Sequence, residues 1–205
     1  MFKKLLLVFI ASSVSLLANA QFGSILGGIV GGGGSGASPD QLLAEYFLGA
    51  SAVLNAQAKI LTAVGLKDQA DLAESNAANM KDGATTDAIK DAEKVQTENS
   101  LKIQEALADK NLVLDENAKK QIGEGYASLA AGAISYIVFI KDAKNFKPGP
   151  TSFGKAVLAL VVIVPRIPND IKNLMNTIKS VSEYAKENKI PAPKDDPTSA
   201  LGSLV

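Results

Sequence analysis

The sequence predicts an all-α protein: a single bundle of five or six helices, with a disordered glycine-rich leader before it and a loose C-terminal tail after it. Three observations carry that prediction. Apolar residues recur at three- and four-residue spacing across 39–189, and no stretch shows the alternation of a half-buried strand. Capping and breaking residues cut this region into helix-sized pieces: Ser38-Pro39, Gly65, Asp82-Gly83, Asp115 and the Lys-Pro-Gly-Pro run at 147–150. Cysteine and tryptophan are absent and aromatics make up 5% of the chain, so Ala, Leu, Ile and Val must fill an interior held by packing alone. The expected organisation is a signal peptide at 1–20, a leader at 21–38, the bundle domain at 39–189 and a proline-rich tail at 190–205.

Residues 1–20 have the three-part layout of a cleavable secretory signal peptide. Lys3 and Lys4 supply the positive start, residues 5–17 the apolar stretch, and Ala18-Asn19-Ala20 the small-x-small cleavage site, which predicts a mature N-terminus at Gln21. The apolar run is short for a membrane span and no stop-transfer pattern follows it, although a retained N-terminal anchor is the competing reading. Export is therefore expected, to the periplasm first and the extracellular space second. With no cysteine after the cleavage site, lipid attachment there is excluded.

The leader reads QFGSILGGIVGGGGSGAS. Its glycines recur four apart (Gly23, Gly27, Gly31 and Gly28, Gly32, Gly36), a small-xxx-small pattern that lets membrane helices approach closely. Each helical glycine costs about 1 kcal/mol relative to alanine, so a flexible leader is the plainer expectation. Phe22, Ile25, Leu26, Ile29 and Val30 are too few to span a bilayer.

The first helix starts at Ser38-Pro39-Asp40-Gln41, an N-cap serine with proline in the first turn and a glutamine placed to close a capping box. Leu43, Phe47, Ala50, Leu54, Gln57, Leu61 and Val64 form its stripe, and Leu42, Tyr46, Val53 and Ile60 widen it. Such a broad apolar surface belongs near the centre of a bundle. A shorter helix over 66–80 presents the small-residue seam Leu66, Ala70, Ala73, Ala77 and Met80. A third, over 86–110, turns Ile89, Ala92, Val95, Ile103, Ala106 and Leu107 inward and is expected to be solvated on most of its circumference. Asp115 caps a fourth running to about 145, whose residues 125–140 carry no charge at all. After the 147–150 break, with Ser152 as cap, a fifth begins at Phe153. Pro165 and Pro168 interrupt the pattern, and a sixth is expected from about 169 to 188. In the tail, Leu201, Leu204 and Val205 are able to dock.

Composition removes several function classes. With no histidine or cysteine, Ser-His-Asp, Cys-His and HExxH sites are impossible, and the commonest metal ligands are missing. The glycine run at 31–34 lacks the Gly-Lys-Ser/Thr of a phosphate-binding loop, and no EF-hand pattern appears. Asp195-Asp196 is a solvated pair in a proline-rich tail. The expectation is accordingly no catalytic residue, no cofactor and no metal. Removal of 1–20 leaves a net charge of about −2, and Arg166 is the single arginine, so there is no basic surface for nucleic acid.

The features left to carry a function are the two apolar runs, 125–140 and 153–164. They read as a buried helical hairpin in the core. Two alternatives give them a role: a hairpin that enters lipid, or walls of a cavity for an apolar ligand, with Tyr126 or Tyr136 offering hydroxyls. The candidate ligand or membrane contacts are Tyr126, Tyr136, Val138, Leu160 and Arg166. Arg166, set between two prolines, either pairs with a carboxylate or an anion, or stands exposed in a turn. Glu45, Lys59 and Glu124 border apolar faces and are expected at their edges.

The order of features, a signal peptide followed by QFGSILGGIVGGGG, a helical body and the late segment VVIVPRIPNDIKNLMNTIKSV, resembles that of uncharacterised exported helical proteins of Gram-negative bacteria. The resemblance implies periplasmic placement and transfers no activity. The function expected is non-enzymatic binding to a partner protein or to the cell envelope. The alternative is a membrane-active or lipid-binding protein that uses residues 125–164.

Overall fold

The computed structural model describes residues 37–81, 84–143, 154–195 and 197–203, all within one compact unit, Gly36–Val205. Every regular element among the described residues is helical. The expected signal peptide, nearly all of the expected leader, the Asp82-Gly83 break, the turn expected at 147–150, the expected Ser152 cap, and Leu204 and Val205 lie outside them.

Helix α1 (Pro39–Ala63) begins as its sequence directs, with Ser38 extended and its Oγ accepting the Gln41 N–H at 3.2 Å. The capping box does not close. The Gln41 amide instead donates to Glu45 Oε1 at 3.4 Å, because Glu45 is buried rather than placed at an edge, and its carboxylate needs a donor. The helix ends at Gly65, whose φ of 81° suits glycine, and the Leu66 N–H turns back to the Leu61 carbonyl at 2.8 Å.

Helix α2 (Lys67–Asn79) buries Ala70, Ala73 and Ala77, followed by Met80, as its seam requires. Thr85 caps α3 (Thr86–Ala108) by accepting the Ala88 N–H at 3.2 Å. Asp115 caps α4 (Glu116–Ala143) by accepting the Ala118 N–H at 2.7 Å. Helix α5 (Lys155–Ile163) has Gly154 at its N-cap. The Pro165 and Pro168 region is a single 3-10 turn, Val164–Arg166, running directly into α6 (Ile167–Glu187). Both prolines occupy early helical positions, where a missing N–H costs little. A short α7 (Thr198–Gly202) closes the described chain against α6 and α4, with Leu201 fully buried.

Helix α1 is central, touching α2, α3, α4 and α5. Its main partner is α4, and glycine permits the closeness. A Cβ at Gly125 would sit 2.6 Å from Ile60 Cγ1, and one at Gly132 would sit 2.9 Å from Val53 Cγ2 and 3.1 Å from its backbone nitrogen. By length and composition α4 could cross a membrane, yet most of its apolar window is buried in the bundle. The expected α4–α5 hairpin is not a packed pair. Helix α4 lies along α1, while α5 rests on α1 and α3, because the wide apolar surface of α1 receives both runs separately.

Helix α6 ends with Lys189 in the left-handed region, φ 58°, where the Ile190 N–H reaches the Ala185 carbonyl at 2.8 Å and Ile190 turns inward. A side chain at that φ is strained, so Lys189→Gly is expected to raise stability by about 0.5–1 kcal/mol in a urea melt.

Candidate functional site

The sequence reading turns the apolar stripe of α3 inward and leaves most of its circumference to solvent, as the structure does, but the structure also buries polar residues of this helix. Its inward face holds Ile89, Ala92, Val95, Ile103 and Leu107, and between them Glu93, Gln96, Asn99 and Ser100 are also buried. These polar residues fall on the same helical stripe as the apolar ones. Their burial builds a polar seam inside a mostly apolar bundle.

The seam is held mainly by its own hydrogen bonds. Fully buried Gln57 of α1 donates through Nε2 to the Gln96 carbonyl at 2.9 Å and to Ser100 Oγ at 3.0 Å. The Tyr136 hydroxyl of α4 donates to Gln96 Oε1 at 3.4 Å. On the α6 side, Asn173 Nδ2 donates to Thr97 Oγ1 at 3.2 Å, and buried Thr177 donates back to the Asn173 carbonyl at 2.8 Å. Toward the N-terminal end of α3 the seam becomes charged. Tyr46 donates to Glu93 Oε1 at 3.2 Å, and Arg166 from the 3-10 turn pairs with Glu93 Oε2. One turn beyond Arg166, Asp170 is 6% exposed, and its Oδ2 has no hydrogen-bond partner among the described residues.

Aromatic rings floor this charged end. Tyr46 meets Tyr136 edge-on at 5.9 Å and Phe139 at 5.5 Å between ring centroids. Burial, first of all, holds both tyrosine hydroxyls well above their ordinary pKa, so they act as neutral donors. Burial also pushes the Asp170 carboxyl up to about 7, the Glu93 charge adds to the effect, and Arg166 opposes it. The hydrogen bond to Glu93 raises Arg166 and keeps it charged. Chemically, the cluster can hold or release one proton at Asp170 near neutrality while Arg166 balances Glu93. Among the described residues no group of three or more acidic side chains is placed to hold a metal ion.

Of the candidate contacts, the structure brings Tyr136 and Arg166 into this cluster. Arg166 is the carboxylate-paired residue of its two readings, with 42% of its side chain exposed. Tyr126 and Leu160 are buried in the core, and Val138 is half-buried. Tyr46, Glu93, Gln96 and Asp170 were not legible as site residues. Helical spacing alone turns Glu93 and Gln96 inward beside Ile89 and Ile103, but their polarity argues for the outer face.

Two other features stand apart. A half-open cleft of about 460 Å³ lies between the C-terminal ends of α3 and α6, lined by Gln104, Leu107, Asp109, Leu112, Glu183 and Tyr184 among others, and by no candidate contact. On α5, Ala156, Val157, Ala159, Leu160 and Ile163 face the core, while Leu158 is 61%, Val161 63% and Val164 40% exposed. Spaced three apart, these last residues form an apolar ridge along one side of α5 and the turn after it. The chain matches no protein-family model, no curated protein and no solved structure.

Proposed function

We propose that the chain is an exported, non-enzymatic binding protein of the bacterial envelope, working in the periplasm. The layout of residues 1–20 supports export. The observation that carries the binding reading is the α5 ridge: the most apolar helix of the bundle turns a row of aliphatic side chains outward instead of burying them. The polar seam supports it too, since its donors and acceptors mostly engage each other and tie α1, α3, α4 and α6 together.

A photo-reactive amino acid at position 161, in cells producing the full chain, tests this. Adducts to an envelope protein or to lipid are expected from 161 and not from the exposed position 176 on α6. Equal yields from the two positions would overturn the reading. The same preparation, by intact mass, should begin at Gln21.

A further inference from the structure

We infer that the α5 ridge docks on an anionic lipid bilayer, with Leu158, Val161 and Val164 entering the headgroup boundary and Lys155 and Arg166 bounding them. This rests on the envelope-binding proposal and names the surface bound. Three properties of the ridge select lipid over a protein partner.

The first is size. A stable protein interface engages about 20–30 residues on each side, whereas here three aliphatic side chains stand in a line on one helix face. A bilayer needs no matching surface and accepts such a strip with its helix lying in the interfacial plane. The second is charge. Residues 154–169 contain no acid, and the two cations, Lys155 and Arg166, lie one at each end of the apolar stretch. The first carboxylate after them, Asp170, is buried. Arg166 is already balanced by buried Glu93, so Lys155 is the cation left to meet a headgroup layer, and it strengthens an anionic contact modestly. The third is composition. The ridge is wholly aliphatic and presents no side-chain donor or acceptor, so nothing on it needs a directional partner.

Shallow docking keeps the bundle folded. The opposite face of α5, with Leu160 and Ile163, stays against α1 and α3, and α4 stays in the core. The lipid contact therefore differs from the insertion of residues 125–164 as a hairpin.

The experiment is flotation of the protein, purified from the periplasm after expression of the full chain, with vesicles of phosphatidylglycerol and phosphatidylethanolamine or of phosphatidylcholine alone. Flotation is expected with the anionic vesicles, weakened by high salt, and much less with phosphatidylcholine. The double variant Leu158→Asp with Val161→Asp should lose at least about tenfold in bound fraction, and Lys155→Glu about fivefold. Leu72→Asp, at an exposed leucine of α2, should float like the parent. A melting temperature within error of the parent establishes that each variant is folded, and Leu158→Ser with Val161→Ser serves if the aspartates perturb it. Absence of flotation by the parent, or undiminished flotation by the folded double variant, would overturn the inference. Adducts to protein at position 161 without flotation would sink the lipid partner and leave envelope binding standing.

Discussion

Gly132→Val is expected to cost the bundle more stability than any surface change, about 3 kcal/mol or more, and so to lower the melting temperature by roughly 10 °C. The reason is the closeness of α1 and α4. A Cβ at position 132 would meet Val53 Cγ2 at 2.9 Å, the Val53 backbone nitrogen at 3.1 Å and Ala52 Cβ at 3.3 Å. A flexible side chain could turn away from such an intrusion, but a helix backbone moves only if the two helices separate. Separation would then loosen Val53, Leu54, Ile60, Leu129 and Ala133, all fully buried. Gly132→Ala is the milder case, with the overlap partly offset by about 1 kcal/mol of improved helix propensity. Gly154, the N-cap of α5 with no atom within 4 Å of an added Cβ, provides the contrast, and Gly154→Ala should cost about 1 kcal/mol or less, from the poorer cap alone. Thermal melts followed by circular dichroism compare all three. A Gly132→Val melt within a degree or so of the parent would contradict the packing of α1 on α4.

The second large effect is a dependence on pH that resides in one residue. Asp170 has its carboxyl pushed up to about 7 in the folded protein, chiefly by burial and then by the charge of Glu93, against the opposing pull of Arg166. In the unfolded chain it titrates near the ordinary aspartate value of 3.8. Between these two values the native state holds a proton that the unfolded state has released. Stability from this group is therefore complete below about pH 4, falls as pH rises and levels off above about pH 7, a loss on the order of 4 kcal/mol. Asp170→Asn keeps the shape and removes the titration. The variant should gain on the parent steadily between pH 4.5 and 7 in urea melts, and hold a constant difference above pH 7.5. A difference that does not vary with pH would mean that Asp170 ionises freely in the fold. Tyr46, Tyr136 and Glu93 surround the same position, so the pH slope of the difference between parent and Asp170→Asn reports how well this charged end excludes water.

Helix capping and period were the readable part of this chain. Ser38 and Asp115 accept the N–H three residues on, as side chains of that type do before an apolar repeat, and Gly65 takes a left-handed turn that other residues resist. Such signals are local, so they survive without knowledge of neighbours. The breadth of the apolar stripe on α1 likewise announced a central helix. Leu201, marked as able to dock, does so.

Which helix meets which is a different matter, because it depends on surfaces far apart in sequence. Residues 125–140 and 153–164 are both apolar, and oil alone does not say whether they pair with each other or each with α1. The missing side chains at Gly125 and Gly132, matched to Ile60 and Val53, decided for α1. The candidate site shows the same divide. Glu93 belongs to a helix whose outward charges look much like it, and it is inward only because Tyr46, 47 residues earlier, and Arg166, 73 residues later, converge on its carboxylate. A buried charge is tolerable when such partners arrive, and one-dimensional pattern cannot count partners that folding brings from elsewhere. Helix limits and an all-α class came from the order of residues itself; the polar seam, the proton held at Asp170 and the outward ridge of α5 were decided by packing.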